Sequence, residues 1–232
     1  MADTNATLWI VATPLGNPGD ITLRAIETLR QVDAVICEER RVASTLLKRL
    51  DIHKELMLLN EHNEADDTDG IIQRLSNGQT LALISDCGTP VFADPGARLI
   101  RAAINAGIRV SPVPGPSSLA AALSLMARPL DQFVFGGFLP REQGERRRAL
   151  TRLRDLGMPV VLMDTPYRLA RSMAEVAEAF GDGCEVLLAI DLTLPGERVL
   201  RGRAGEVKRL VEGQKGEFVL VVMNELKKQR AA

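Results

Sequence analysis

The sequence offers little for cross-linking or metal binding: three cysteines, Cys37, Cys87 and Cys184, and two histidines, His53 and His62, in 232 residues. The cysteines are odd in number, widely spaced and free of any CxxC pair, so neither a disulfide frame nor a metal site is expected. Aromatic residues are equally scarce at 3%. The single tryptophan, Trp9, sits in a predicted buried strand, which makes base stacking a poor source of affinity for nucleic acid. No apolar run approaches the ~18 residues needed to cross a bilayer, and no basic segment precedes a hydrophobic signal core. The chain therefore reads as cytoplasmic, with no membrane partner. A strong charge of either sign is also missing: 29 basic residues face 30 acidic ones, for a net charge of −1. That balance argues against non-specific coating of nucleic acid and leaves room for a local basic patch.

What is present is ordinary for a globular protein, with 46% apolar and 25% charged residues. A chain of this length buries roughly 70% of its unfolded surface, enough for one large or two small cores. Short apolar runs alternate with amphipathic stretches. Strands are expected at 8–12, 34–37, 56–59, 81–84 and 109–113, with helices at 21–32, 42–50, 69–75 and 95–106. Such alternation implies parallel strands joined by helical crossovers. The densest Pro/Gly stretch, Pro112 to Pro116, marks a seam, giving domains 1–113 and 114–232. In the second half, helices are expected at 117–127, 145–156, 169–180 and 204–211. Strands are expected there at 133–135, 160–163, 186–190 and 218–222, and 199–201 forms a hairpin with the strand before it, which makes that sheet mixed. The fold class is α/β, two α/β domains enclosing a cleft.

Ligands of open parallel sheets bind at the carboxyl ends of the strands, so the loops directly after strands carry the information. Three stand out: 13–20 (TPLGNPGD), the pair Glu38 and Glu39, and 85–90 (SDCGTP), which runs on to Asp94-Pro95-Gly96. Neither GxGxxG nor GxxxxGK[ST] occurs, so the dinucleotide fingerprint and the phosphate loop are both missing. Taken singly, each Pro/Gly loop is a tight strand-to-helix turn. Their shared position on one sheet edge is what suggests a binding site.

The segments 8–23 (LWIVATPLGNPGDITL), 85–96 (SDCGTPVFADPG), 113–118 (VPGPSS) and 136–141 (GGFLPR) closely resemble the RsmI-type 16S rRNA ribose 2′-O-methyltransferases of the tetrapyrrole methylase superfamily. The resemblance runs in order through about 140 residues and continues more weakly to the C-terminus. It implies an S-adenosyl-L-methionine-dependent methyltransferase with the cofactor in a cleft between two α/β domains, a 16S rRNA cytidine in the small ribosomal subunit as acceptor, and a homodimer. Position by position, it implies cofactor contacts at Pro14 and Leu15, at Cys87, Gly88, Thr89 and Phe92, and at Ser117 and Ser118. In the second half it implies contacts at Met163, Asp164 and Leu192. The family's CEDTR, YExPHR and RELTK appear here as CEERR (37–41), MDTPYR (163–168) and IDLTL (190–194).

Two alternatives stay open beside this reading. The superfamily also methylates tetrapyrroles and other small molecules, and the three altered segments are compatible with a non-catalytic paralogue that binds cofactor or RNA. Glu38 and Asp86, at the ends of neighbouring strands, are candidates to orient or deprotonate an acceptor hydroxyl, against a plain capping or ion-pairing role. Cys87 beside Asp86 would be a nucleophile if His62 were its base; the simpler reading is a small residue filling a cofactor loop. The cluster Arg141, Arg146, Arg147, Arg148, Arg152 and Arg154 follows the GFLP turn on a predicted helix. Arg141, Arg147 and Arg148 are the candidates from it to grip RNA phosphates, against the alternative of a solvated basic face.

Overall fold

A computed structural model describes residues 6–60, 64–91 and 94–224. The chain divides into two compact units, Met1–Ser117 and Ser118–Ala232.

The first unit is a five-stranded sheet built from β1 (Thr7–Val11), β2 (Ala34–Cys37), β3 (Glu55–Leu58), β4 (Leu81–Ile84) and β5 (Arg109–Val113). The strands lie in the order β3-β2-β4-β1-β5, and every pairing is parallel. Four helices cross between them: α1 (Leu23–Gln31), α2 (Arg40–Arg49), α3 (Glu64–Ser76) and α4 (Ala97–Asn105). Strand residues alternate between faces with a period of two. Val11, Val35, Cys37, Ala82 and Ile84 pack with Ala25, Leu29, Ala43 and Leu47 of α1 and α2. Leu8, Ile36, Leu81 and Leu83 pack with Ile71, Leu75, Leu99 and Ala103 of α3 and α4. Neighbouring strands β1 and β4 therefore send their following helices to opposite faces. That divergence opens a crevice between their carboxyl ends, the topological switch point where open α/β sheets bind ligands.

The expected strands match within a residue at each end. Helix ends moved for capping reasons. Thr22 accepts the Ala25 N–H at 3.1 Å and Asn17 accepts the Gly19 N–H at 2.9 Å, so residues 18–20 form a 3₁₀ turn and α1 starts at Leu23 rather than 21. The helix expected at 69–75 runs from Glu64, because its polar, acidic first turns carry no apolar periodicity yet suit a helix N-terminus. Gly96, the N-terminal cap of α4, has no side chain; Glu64 Oε1 instead accepts from the Gly96 and Arg98 N–H groups at 3.0 Å each.

The second unit opens with α5 (Ser118–Ser124), then β6 (Val134–Phe138), α6 (Gln143–Asp155), β7 (Val160–Asp164), α7 (Leu169–Phe180), β8 (Glu185–Ile190), β9 (Arg198–Arg203), α8 (Ala204–Leu210) and β10 (Phe218–Val222). Its sheet has the order β6-β7-β10-β8-β9, parallel between β6 and β7 and antiparallel elsewhere. It is mixed, with the expected β8–β9 hairpin. The strand expected at 133–135 extends to Phe138 through a bulge between Phe135 and Gly137, where Gly137 takes a φ of 60°. One face of this sheet packs on α6, α7 and α8 through Leu150, Met173, Val176 and Val207. The other face meets α5 through Ala122, Val161, Ala189 and Val221. Among the described residues no helix is long and apolar enough to cross a membrane.

Candidate active site

In the first unit, two of the loops singled out above, those after β1 and β4, are knitted by hydrogen bonds to each other and to the loop after β5. Thr13 is buried; its N–H donates to the Gly88 carbonyl at 2.9 Å and its hydroxyl to the Ser85 carbonyl at 3.0 Å. Cys87 Sγ lies 3.1 Å from the Leu15 carbonyl, and the Thr89 hydroxyl donates to the Pro116 carbonyl at 3.0 Å. Gly88 sits at the centre with a φ of 82°; a Cβ there would stand 2.9 Å from Leu15 Cδ2. Gly115 packs its backbone on the end of β1, where an added Cβ would meet Ala12 Cβ at 3.0 Å. These glycines let backbone approach backbone closely, with one in a conformation L side chains resist. Ser85 anchors the middle loop, its hydroxyl donating to Asp94 Oδ2 at 2.6 Å and accepting the Cys87 N–H at 3.1 Å. Nearby Val91 has a φ of 70°, strained for a β-branched residue and of a kind that concentrates at functional sites.

Pro14, Leu15, Cys87, Gly88, Thr89 and Ser117 are thus brought onto one edge of the first sheet. Ser118 is the first residue of α5 in the second unit. Phe92 and His62 lie outside the described residues. In the first loop, Asp20 Oδ2 is a buried acceptor with no hydrogen-bond donor among the described residues.

Two carboxylates end adjacent strands here. Asp86 is half-buried, and its Oδ1 accepts the Glu39 N–H at 3.3 Å. Burial pushes its pKa above the ordinary aspartate value, opposed by the Glu39 N–H and reinforced by the charges of Glu39 and Asp94. Glu38 is also half-buried. Glu39 caps α2, accepting the Arg41 N–H at 3.3 Å. Cys37, beneath them, is buried and its thiol is pushed up to about 11, chiefly by desolvation, so it is no nucleophile at neutral pH. No group of three or more His, Cys, Asp or Glu able to hold a metal occurs among the described residues.

Between α2 and these loops lies a cavity of about 620 Å³, within the range of small-molecule sites. Pro14, Leu15, Ser85 and Asp86 form one wall, and α2 forms the other. Sequence reasoning missed the α2 wall, because only the strand order β2-β4-β1 brings that helix over the first loop.

A family model for tetrapyrrole (corrin/porphyrin) methylases matches residues 7–208. This chain belongs to the tetrapyrrole methylase family. Within it, the chain is 42% identical over 223 residues to the ribosomal RNA small subunit methyltransferase I of Xylella fastidiosa, covering 94% of this chain and 82% of that protein. It is 38% identical over 224 residues to the protein of that name from Escherichia coli O157:H7, covering 95% and 78% respectively. In fold, it is similar to uroporphyrin-III-C-methyltransferase from Thermus thermophilus (TM-score 0.65, 22% identity, 94% of each chain). It is also similar to the cobalt precorrin-4 methyltransferase CbiF (TM-score 0.67, 18% identity, 94% of this chain and 95% of that one). As a methyltransferase of this family, the protein requires a methyl donor.

The second unit distributes the remaining family positions unevenly. Met163 and Leu192 lie together in the apolar layer that α5 covers. Asp164, one residue on, points to the opposite face, as strand alternation demands. Its buried carboxylate accepts from Arg146 Nη1 and the Ser172 hydroxyl at 3.0 Å each, and from the Thr165 N–H at 2.9 Å. Met163 and Asp164 therefore do not offer side chains to one ligand.

The arginine cluster divides too. Arg146 is 1% exposed and is not available to a phosphate. It bridges Asp164 at 3.0 Å and Glu175 at 2.7 Å. Burial works against its charge, but the hydrogen bonds of Glu175 and Asp164 outweigh burial and hold it protonated. Arg147 is exposed and pairs with Glu178 at 3.4 Å. Arg154 contacts Asp155. Arg141 and Arg148 are exposed and make no ion pair among the described residues. One contact could not be read from spacing: Tyr167 is 79% exposed and carries Lys215 Nζ 4.8 Å above its ring.

Proposed function

We propose that this protein transfers a methyl group from S-adenosyl-L-methionine to the ribose 2′-hydroxyl of a cytidine in 16S rRNA. The observation that carries the reading is the knot of three loops at the switch point of the first sheet, in a chain about 40% identical to proteins named small-subunit rRNA methyltransferases. Bound there, S-adenosylmethionine would supply an electrophilic methyl on a cationic sulfur. The residues present fit such a group. Gly88 keeps the middle loop open to close approach, while the Leu15 carbonyl, which takes only the weak Cys87 thiol donor, and the Asp20 carboxylate of the first loop are acceptors for cationic groups. Pro14, Leu15, Cys87, Gly88, Thr89, Ser117 and Ser118 would hold the cofactor from the loops. Met163 and Leu192 would offer it apolar surface, and Asp164 would contribute backbone alone.

The acceptor hydroxyl is a weak acid, so its alignment with the methyl group governs the rate, and a carboxylate is useful as the proton leaves. Asp86 is the better candidate of the two strand-end acids, since burial raises its basicity. On the second unit, the exposed Arg141, Arg147 and Arg148 would meet RNA phosphates. The family resemblance extends the proposal to a homodimer acting in the cytoplasm.

Calorimetric titration with S-adenosylmethionine and S-adenosylhomocysteine tests the cofactor; no heat at near-millimolar ligand removes it. Small ribosomal subunits from a strain lacking the modification should gain label from methyl-labelled cofactor, in the ribose of one cytidine. Label appearing only on a tetrapyrrole would replace the acceptor. No turnover on any acceptor would favour the non-catalytic reading. Light scattering should give twice the monomer mass.

A further inference from the structure

We propose that the cavity under α2 is the acceptor pocket, seating the ribonucleotide to be methylated with its flanking phosphates on Arg41 and Arg49 and its reacting hydroxyl hydrogen-bonded to Asp86. The proposal rests on the rRNA reading above and adds where the nucleotide sits and which residues choose it.

Position comes first. The cavity shares its wall with the loops assigned to the cofactor: Pro14 and Leu15 line it, and so do Ser85 and Asp86, which lead directly into Cys87–Gly88–Thr89. An acceptor seated there is next to the donor loops. Its chemistry comes second. From α2, Val42 and Leu46 contribute apolar surface suited to a base. Arg41, Thr45 and Arg49, spaced four apart, form a polar stripe of about 12 Å along one side of that helix. A stripe of that length reaches the phosphates on both sides of one nucleotide.

Charge is the third observation. Arg74, Arg146, Arg154 and Arg171 are each paired with a carboxylate. Arg41 and Arg49 are exposed at the cavity and have no ion-pair partner among the described residues. Guanidinium forks match phosphate oxygens, whereas the apolar wall between them has no use for a charge. Asp86 offers the complementary acceptor: its Oδ1 takes the Glu39 N–H, and Oδ2 has no partner among the described residues. As the ribose oxygen forms its bond to the methyl carbon, the carbon–sulfur bond breaks with its electron pair going to sulfur. The hydroxyl proton passes to the Asp86 carboxylate and on to water.

The test is the double variant Arg41→Gln/Arg49→Gln, assayed on small subunits lacking the modification. KM for the subunits should rise by about 10-fold or more while the cofactor dissociation constant, read by calorimetry, stays within two-fold; unchanged cofactor binding also reports an intact first unit. The slope of log KM against log salt should fall by about 1.4, the loss of two single-strand phosphate contacts. Arg41→Lys/Arg49→Lys should recover part of the salt dependence but less of the KM, since an ammonium cannot bind bidentately. Arg101→Gln, a charge removed from α4, is the control and should change neither. Methylation by wild type with KM unmoved in the double variant, or moved equally by Arg101→Gln, overturns the pocket while leaving the reaction standing. Wild type that binds cofactor but labels no subunits removes the rRNA reading, and this assignment with it.

Discussion

Replacing Arg146 by methionine tests the account of the second unit most directly. The side chain is 1% exposed and its Nη1 reaches Asp164, itself 2% exposed, at 3.0 Å. Nε and Nη2 both reach Glu175 Oε2, at 2.8 and 2.7 Å. The remaining donors meet the Ser172 hydroxyl at 3.0 Å and the Pro140 carbonyl at 3.2 Å. Methionine fills much of the volume but leaves the Asp164 carboxylate in a dry site with only Arg168, at 3.3 Å, as a counter-charge. Breaking a buried pair from one side costs about 3–5 kcal/mol. For a chain of this size that corresponds to a loss of roughly 6–20 °C in Tm. Urea unfolding followed by circular dichroism measures the cost, and Arg146→Met/Asp164→Leu should regain more than half of it, because no orphaned charge remains. A single variant within about 1 kcal/mol of wild type would refute the reasoning: the cluster would then be wet and Arg146 free to serve RNA.

Three further expectations follow from the first unit. Gly88→Ala should weaken cofactor binding by about 10-fold in calorimetry with a stability loss near 1 kcal/mol, since alanine resists a φ of 82° and its Cβ displaces Leu15; unchanged affinity would free this loop from the site. Asp86→Asn should lower kcat by ~10²-fold or more and remove the acid limb of its pH profile. The sign is set by the active form being the carboxylate, so wild-type activity falls as pH drops through a value lifted above the ordinary aspartate range by burial and by the charges of Glu39 and Asp94; an unaltered profile would exclude Asp86. Iodoacetamide at neutral pH should label exposed Cys87 well before Cys37, whose buried thiol is pushed up to about 11, and cofactor should protect Cys87; mass spectrometry showing Cys37 labelled first would contradict the packing under β2.

The strands were the most legible feature. Fully buried parallel strands read as unbroken apolar runs, and AVIC at 34–37 and LALI at 81–84 did so because helices cover both of their faces. Helix ends were less legible where the partner lay far off in sequence, as with Glu64 capping α4. The loops of the candidate site stood out through their glycines and prolines, although none of the bonds joining Thr13 to Gly88 or Thr89 to Pro116 can be read from spacing. Period-two alternation did contain the separation of Met163 from Asp164, but it becomes visible only once one face of β7 is known to meet α6 and α7.

By itself, the amino-acid order determined the α/β alternation, the mixed character of the second sheet and the Pro/Gly loops at the strand ends where a site was expected. Each of these is a local pattern of apolar period and turn chemistry. Tertiary structure alone decided which arginine of an arginine-rich helix is spent on a buried carboxylate and which helix closes the cavity beside the loops. Arg146 and Arg148 are two residues apart and chemically identical. Only the position of β7 and α7 buries one and leaves the other in water.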